Sequence, residues 1–140
     1  MSNWFTTSLR VRYKETDQMG VVYHSNYFVW FDIARTELIR SVNISFQDME
    51  DSGLLMPVID VNCQYRVPAK CDDVLLIKVK ISRYTNLRMN FVYEVIREAD
   101  NQLLATGETK HVFIDRNFKP RRLDKEIPEY HGKMLQLFNS

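Results

Sequence analysis

At 140 residues the chain is long enough for one domain with its own core, and 45% hydrophobic against 26% charged residues excludes a mainly disordered state. Nineteen Lys and Arg against eighteen Asp and Glu leave a formal charge of +1, so no global positive field exists to hold DNA or RNA. Cys63 and Cys71 make neither a CxxC nor a zinc pattern, no apolar run is long enough to span a bilayer, and Met1 to Thr7 lacks a basic start followed by an apolar run. The expectation is a single soluble cytoplasmic domain over residues 1–140, with free thiols and no signal peptide.

Leu9, Val11 and Tyr13 alternate with Ser8, Arg10 and Arg12, the period of a half-buried strand. A break follows at Glu15 to Gly20. From Asn26 to Val42 the period becomes helical, with Tyr27, Phe31, Ala34 and Leu38 on one stripe and Phe28 and Trp30 beside it. Ser25 or Asn26 suits the N-cap, because either side chain can accept from a backbone N–H that lacks a helical partner. Ser45 to Asp51 reads as a short helical turn closed by Gly53.

Beyond this point strand follows strand. Ile59, Val61, Cys63 and Tyr65 alternate with polar residues, and Pro68 to Asp73 is a turn. Leu75, Ile77, Val79 and Ile81 form the next inward set; Met89, Phe91, Tyr93 and Val95 follow, broken at Glu98 to Asn101. Leu104 to Ile114 is mixed, with Gly107 marking a bulge or a close approach of another element. Glu126 to Phe138 reads as a modest amphipathic helix, with Pro128 where a first helical turn tolerates it. Strands joined by short turns pair antiparallel, so one broad helix against one curved antiparallel sheet gives an α+β architecture.

The segment from Glu15 to Tyr27 carries the chemistry. It sets Asp17 at the end of a strand, then the Gly20 turn, His24 and a helix start. A carboxylate, an imidazole and free helix N-terminal amides are thereby brought towards one volume. Those parts suffice for attack on an acyl carbonyl: a base or nucleophile, and donors for the oxyanion. The plain structural alternative for Asp17 is a turn residue that stabilises the loop before Gly20; for His24 it is a capping or packed imidazole.

The string Thr16-Asp17, Gly20-Val21-Val22-Tyr23-His24 and Asn26-Tyr27, continued by Ala34-Arg35-Thr36-Glu37 and by Pro68-Ala69 with Asp72-Asp73, resembles the 4-hydroxybenzoyl-CoA thioesterase family. The bacterial branch associated with the Tol-Pal system is the most similar. The resemblance implies a hotdog fold, a long central helix wrapped by a curved antiparallel sheet of five or six strands. It implies acyl-CoA as substrate, no cofactor and no metal, and homodimers or homotetramers with active sites at the subunit interface. In such enzymes the position matching Asp17 is the catalytic carboxylate, nucleophile or general base, and His24 marks the helix start whose backbone N–H polarises the thioester carbonyl.

A thioester needs no metal and no serine triad, since its thiolate leaves readily and a carboxylate with an oxyanion donor is enough. Two other readings compete: a thioesterase acting on acyl carrier protein, and an acyl-CoA-binding hotdog protein without turnover. A dehydratase is disfavoured because a His-Phe-Pro-Gly-type string is missing. Glu37 is expected to lie on a solvated face or to pair with Arg40 rather than act as a second acid. His111 and His131 lack partner signatures. The basic cluster Arg116, Lys119, Arg121, Arg122 and Lys125 would suit the phosphates of coenzyme A or an acidic carrier, and reads equally well as a solvated turn.

Overall fold

The computed structural model describes residues 3–140; Met1 and Ser2, the start of the stretch read for a leader, lie outside the described residues. Five strands form one antiparallel sheet: β1 (Phe5–Arg10), β2 (Val58–Tyr65), β3 (Val74–Tyr84), β4 (Arg88–Arg97) and β5 (Gln102–Val112), in the spatial order β1-β3-β4-β5-β2. The helices are α1 (Asn26–Arg40), α2 (Phe46–Asp51), α3 (Leu123–Glu126) and α4 (Pro128–Asn139). This is the α+β arrangement expected, with a strand count inside the expected range.

The inward sets of β3 and β4 hold as read. Leu75, Ile77, Val79 and Ile81, and Met89, Phe91, Tyr93 and Val95, are all buried. So is the α1 stripe of Tyr27, Phe31, Ala34 and Leu38, with Trp30 beside it. Each fully buried side chain of this size contributes roughly 1.5–3 kcal/mol relative to exposure. Phe31 stacks on Tyr93, ring centroids 4.2 Å apart and 15° from parallel. Gly107 makes that possible: a Cβ there would lie 2.4 Å from Phe31 Cε2 and 2.9 Å from the Asn62 carbonyl. The ladder runs unbroken through Gly107, paired with Cys63 on one side and Tyr93 on the other, so it marks a close approach and not a bulge.

Two readings need correction. β1 ends at Arg10, and Tyr13, placed in the strand by alternation, sits in a 3-10 turn at Tyr13–Glu15 with its side chain exposed. The alternating set on β2 is not a covered face: Ile59, Val61 and Tyr65 are exposed, and only Cys63 is partly covered. β2 is an edge strand, and periodicity reports which residues share a face, not whether that face is covered. Both cysteines are free and half-buried.

Candidate active site

Asp17 opens a tight reversal. Its N–H donates to the Val21 carbonyl at 2.8 Å, and the Gly20 N–H donates back to its carbonyl at 3.1 Å. Thr16 then pairs with Val22, and Gly20 takes φ +78°, a conformation that a side chain would strain. The Asp17 carboxylate takes part in the turn, its Oδ1 accepting from the Met19 N–H at 2.7 Å. No partner occupies its other oxygen among the described residues, and the side chain is exposed. The turn reading and the catalytic reading of Asp17 are therefore compatible, one oxygen for each.

After the turn two backbone bonds tie the chain down on its way to the helix. The Val22 N–H donates to the Ala69 carbonyl and the Tyr23 N–H to the Glu15 carbonyl, both at 2.8 Å. α1 then begins with i to i+3 bonds: Asn26 N–H to Tyr23, Tyr27 N–H to His24 and Phe28 N–H to Ser25. The backbone N–H groups of His24 and Ser25 have no acceptor among the described residues. A 15-residue helix aims its dipole at that point, and the free N–H groups carry its positive end.

Capping differs from the sequence expectation. Ser25 is the N-cap but makes no side-chain cap bond. The Asn26 side chain donates instead, from Nδ2 to the Glu15 carbonyl at 2.9 Å, so it ties the helix start to the segment that carries Asp17. It orients the helix start but does not cap it.

Asp17 and His24 line one cleft of about 260 Å³, together with Val22, Tyr27, Tyr65, Arg66, Val67 and Pro68. The His24 imidazole is exposed; its ring lies 4.3 Å from that of Tyr23 and meets Tyr65 edge-on at 6.4 Å. Tyr27 forms part of the buried floor, accepting from the Ala69 N–H at 3.3 Å. Burial pushes its phenol above the ordinary value, against the pull of that N–H.

Glu15 is the residue that sequence reading missed. Its side chain is 4% exposed, with Oε1 accepting from the Arg12 N–H at 2.8 Å and Oε2 from the Trp30 indole at 3.0 Å. Burial pushes its carboxyl up, but these two donors and the Arg12 guanidinium outweigh that and hold it below its usual value. The carboxylate thus stays charged inside the core edge, beneath the Asp17 turn. The available signal was the Arg12-x-x-Glu15 spacing, which lets a Glu reach back to a backbone N–H.

Other candidates resolve plainly. Glu37 pairs with Arg40, as expected. His111 is buried and accepts or donates at Thr109 Oγ1, 2.9 Å away. Much of the basic cluster is paired: Arg121 with Asp115 and Glu126, Arg122 with Asp124, and Arg116 donates to the Glu50 carbonyl. Among the described residues, no three His, Cys, Asp or Glu side chains gather as a metal site would require, and no helix is long and apolar enough to cross a membrane.

Residues 11–130 match the thioesterase-like superfamily. A putative acyl-CoA thioesterase of Bacillus subtilis, YneP, is 36% identical over 124 residues, covering 88% of this chain and 89% of that protein. The acyl-CoA thioester hydrolase YbgC of Escherichia coli is 34% identical over 124 residues, 88% of this chain and 92% of its own. Among solved structures, a DHNA-CoA thioesterase from Staphylococcus aureus superposes with a TM-score of 0.91 at 36% identity, over 97% of this chain and 93% of that one.

Proposed function

This chain belongs to the thioesterase-like superfamily, and from that membership and the geometry above we propose an acyl-CoA thioesterase of hotdog fold in which Asp17 and the start of α1 act together. The reaction takes acyl-CoA and water to a carboxylate and coenzyme A. One observation carries the assignment of roles: Asp17, with one carboxylate oxygen unpartnered among the described residues, and His24, whose N–H at the helix start has no acceptor among them, line one cleft.

With the thioester carbonyl at the His24 N–H, the charge that develops on oxygen meets a donor already aimed along the helix axis. The free Asp17 oxygen removes a proton from the attacking water, or attacks the carbonyl carbon itself to form an anhydride that water then opens. On either route the carbon–sulfur bond breaks and the thiolate leaves. The His24 imidazole, exposed in the same cleft, is placed to hold or relay a proton. Turnover is expected to need no metal and no cofactor.

The within-family assignment proposed is the 4-hydroxybenzoyl-CoA thioesterase branch, in the group associated with the Tol-Pal system, on the Asp17 to Tyr27 string. The exposed edge strand β2, with Val58, Ile59 and Val61 open to solvent, supports a homodimer joined edge to edge, or a homotetramer of two such dimers. A cytoplasmic location for a single domain spanning residues 1–140 accompanies that reading. The carrier-protein alternative loses support from the basic cluster, because its arginines are already paired or bonded to backbone.

Thiol release from short, long and aromatic acyl-CoAs, with DHNA-CoA and an acyl carrier protein thioester included, tests the proposal. Asp17→Asn keeps the oxygen that the Met19 N–H needs and is expected to fold normally while losing two or more orders of magnitude in kcat, on the scale of about 10²–10⁴ for positioned acid–base groups. Turnover retained in the folded variant would remove Asp17 from the mechanism. Tight acyl-CoA binding without thiol release would establish the binding-only reading.

A further inference from the structure

We propose that Tyr65 is a positioning residue for hydrolysis, its hydroxyl fixing the His24–Ser25 peptide so that the Ser25 N–H becomes a second oxyanion donor beside that of His24. The proposal rests on the thioesterase reading above.

Among the described residues all peptides are trans, so each N–H points opposite to the carbonyl of the same peptide group. Fixing a carbonyl therefore aims the N–H that follows it. The Tyr23 carbonyl accepts from the Asn26 N–H at 3.0 Å, which aims the His24 N–H. The His24 carbonyl has only a long 3.3 Å bond from the Tyr27 N–H within the helix start. Its short partner comes from outside the helix: the Tyr65 hydroxyl donates to it at 2.8 Å. That bond aims the Ser25 N–H, which has no acceptor among the described residues and sits at helical φ −67° and ψ −20°.

Tyr65 is well held for this task. It is the last residue of β2, and its ring stands edge-on to Tyr27, centroids 4.9 Å apart at 87°. It lines the same cleft as Asp17 and His24. The residue as a whole is exposed, but partial desolvation of its phenol, with Cys63 beside it, moves the phenol above the ordinary value, and a phenol is in any case a protonated donor at neutral pH. A hydroxyl donating into a carbonyl also polarises that peptide, which strengthens its N–H as a donor. The edge strand thus acts on the reaction without touching the reacting atoms.

Two variants test this. Tyr65→Phe removes one hydroxyl and keeps the ring; kcat is expected to fall about 10- to 100-fold, a weakened oxyanion donor, with KM and the melting temperature little changed. Replacing Tyr65 with 3-fluorotyrosine and 3,5-difluorotyrosine makes the hydroxyl a progressively stronger donor, and kcat at pH 6 is expected to rise along that series. A packing role would give no such trend. Wild-type kcat in Tyr65→Phe, or a flat fluorotyrosine series, would overturn the assignment while Asp17→Asn still loses turnover. No thiol release by the wild-type protein would instead sink the hydrolysis reading, and this proposal with it.

Discussion

Glu15 joins three parts of the site through two kinds of bond. Its carboxylate receives the Arg12 N–H and the Trp30 indole, and its backbone carbonyl receives the Tyr23 N–H and the Asn26 side chain. Glu15→Gln is nearly isosteric but places an amide NH₂ where one of two donors already points. A buried N–H left facing another donor costs about 1–3 kcal/mol, so urea unfolding should show a loss of that size. Activity should fall as well, because the Asp17 turn and the helix start both hang on this residue. That Asp17 and His24 come to one cleft was legible from the string that holds them. Glu15 was not, because its burial depends on Trp30, fifteen residues further on in α1.

At the scale of elements, the two serine N-caps differ in kind. Ser45 caps α2 by accepting the Asp48 N–H at 3.1 Å, whereas Ser25 at the start of α1 makes no such bond. Ser45→Ala should therefore cost about 1 kcal/mol, the usual worth of a cap. Ser25→Ala should be close to neutral in the same denaturation experiment. On the proposed reading the first N–H groups of α1 are left open for substrate, and a serine side chain that closed them would compete with it. Most elements were legible from period and punctuation: the α1 stripe, the inward sets of β3 and β4, the short helical turn from Ser45 closed by Gly53 at φ +93°, and Pro128 in the first turn of α4. β2 was legible as a strand but not as an exposed edge, since burial depends on what lies across from it.

Across the whole molecule, stability should depend on acid through two buried groups that do not line the cleft. His111 is 1% exposed on β5, beside Thr109, which also bonds the Tyr93 hydroxyl at 2.6 Å. Burial, reinforced by the Arg35 charge and opposed by the Met56 carbonyl, lowers its pKa to about 4 from 6.5. Between those values the unfolded chain binds a proton that the folded one refuses, so stability falls as pH drops through that window. The full effect is on the order of 3 kcal/mol. Below it Glu15 takes over: its depressed carboxyl contributes stability above its ordinary value of 4.5, and that is lost as pH falls through the folded value. Urea midpoints at pH 7 and pH 5 should show the first drop, and His111→Gln should remove it. An unchanged slope in that variant would assign the acid sensitivity elsewhere.

Gly107 and His111 show where reading a sequence stops. Hydrophobic period, turn residues and the Asp17 to Tyr27 string are local, set by neighbours along the chain, and they determined the α+β class, the strand order along the sequence and the two candidate catalytic residues. That Gly107 admits Phe31, that Glu15 and His111 are buried, and that β2 lies open at the sheet edge were decided only by the tertiary structure. The physical reason is common to all of them. Burial, close approach and the desolvation that shifts a pKa are properties of pairs of segments distant in sequence, and they exist only once packing has brought those segments together.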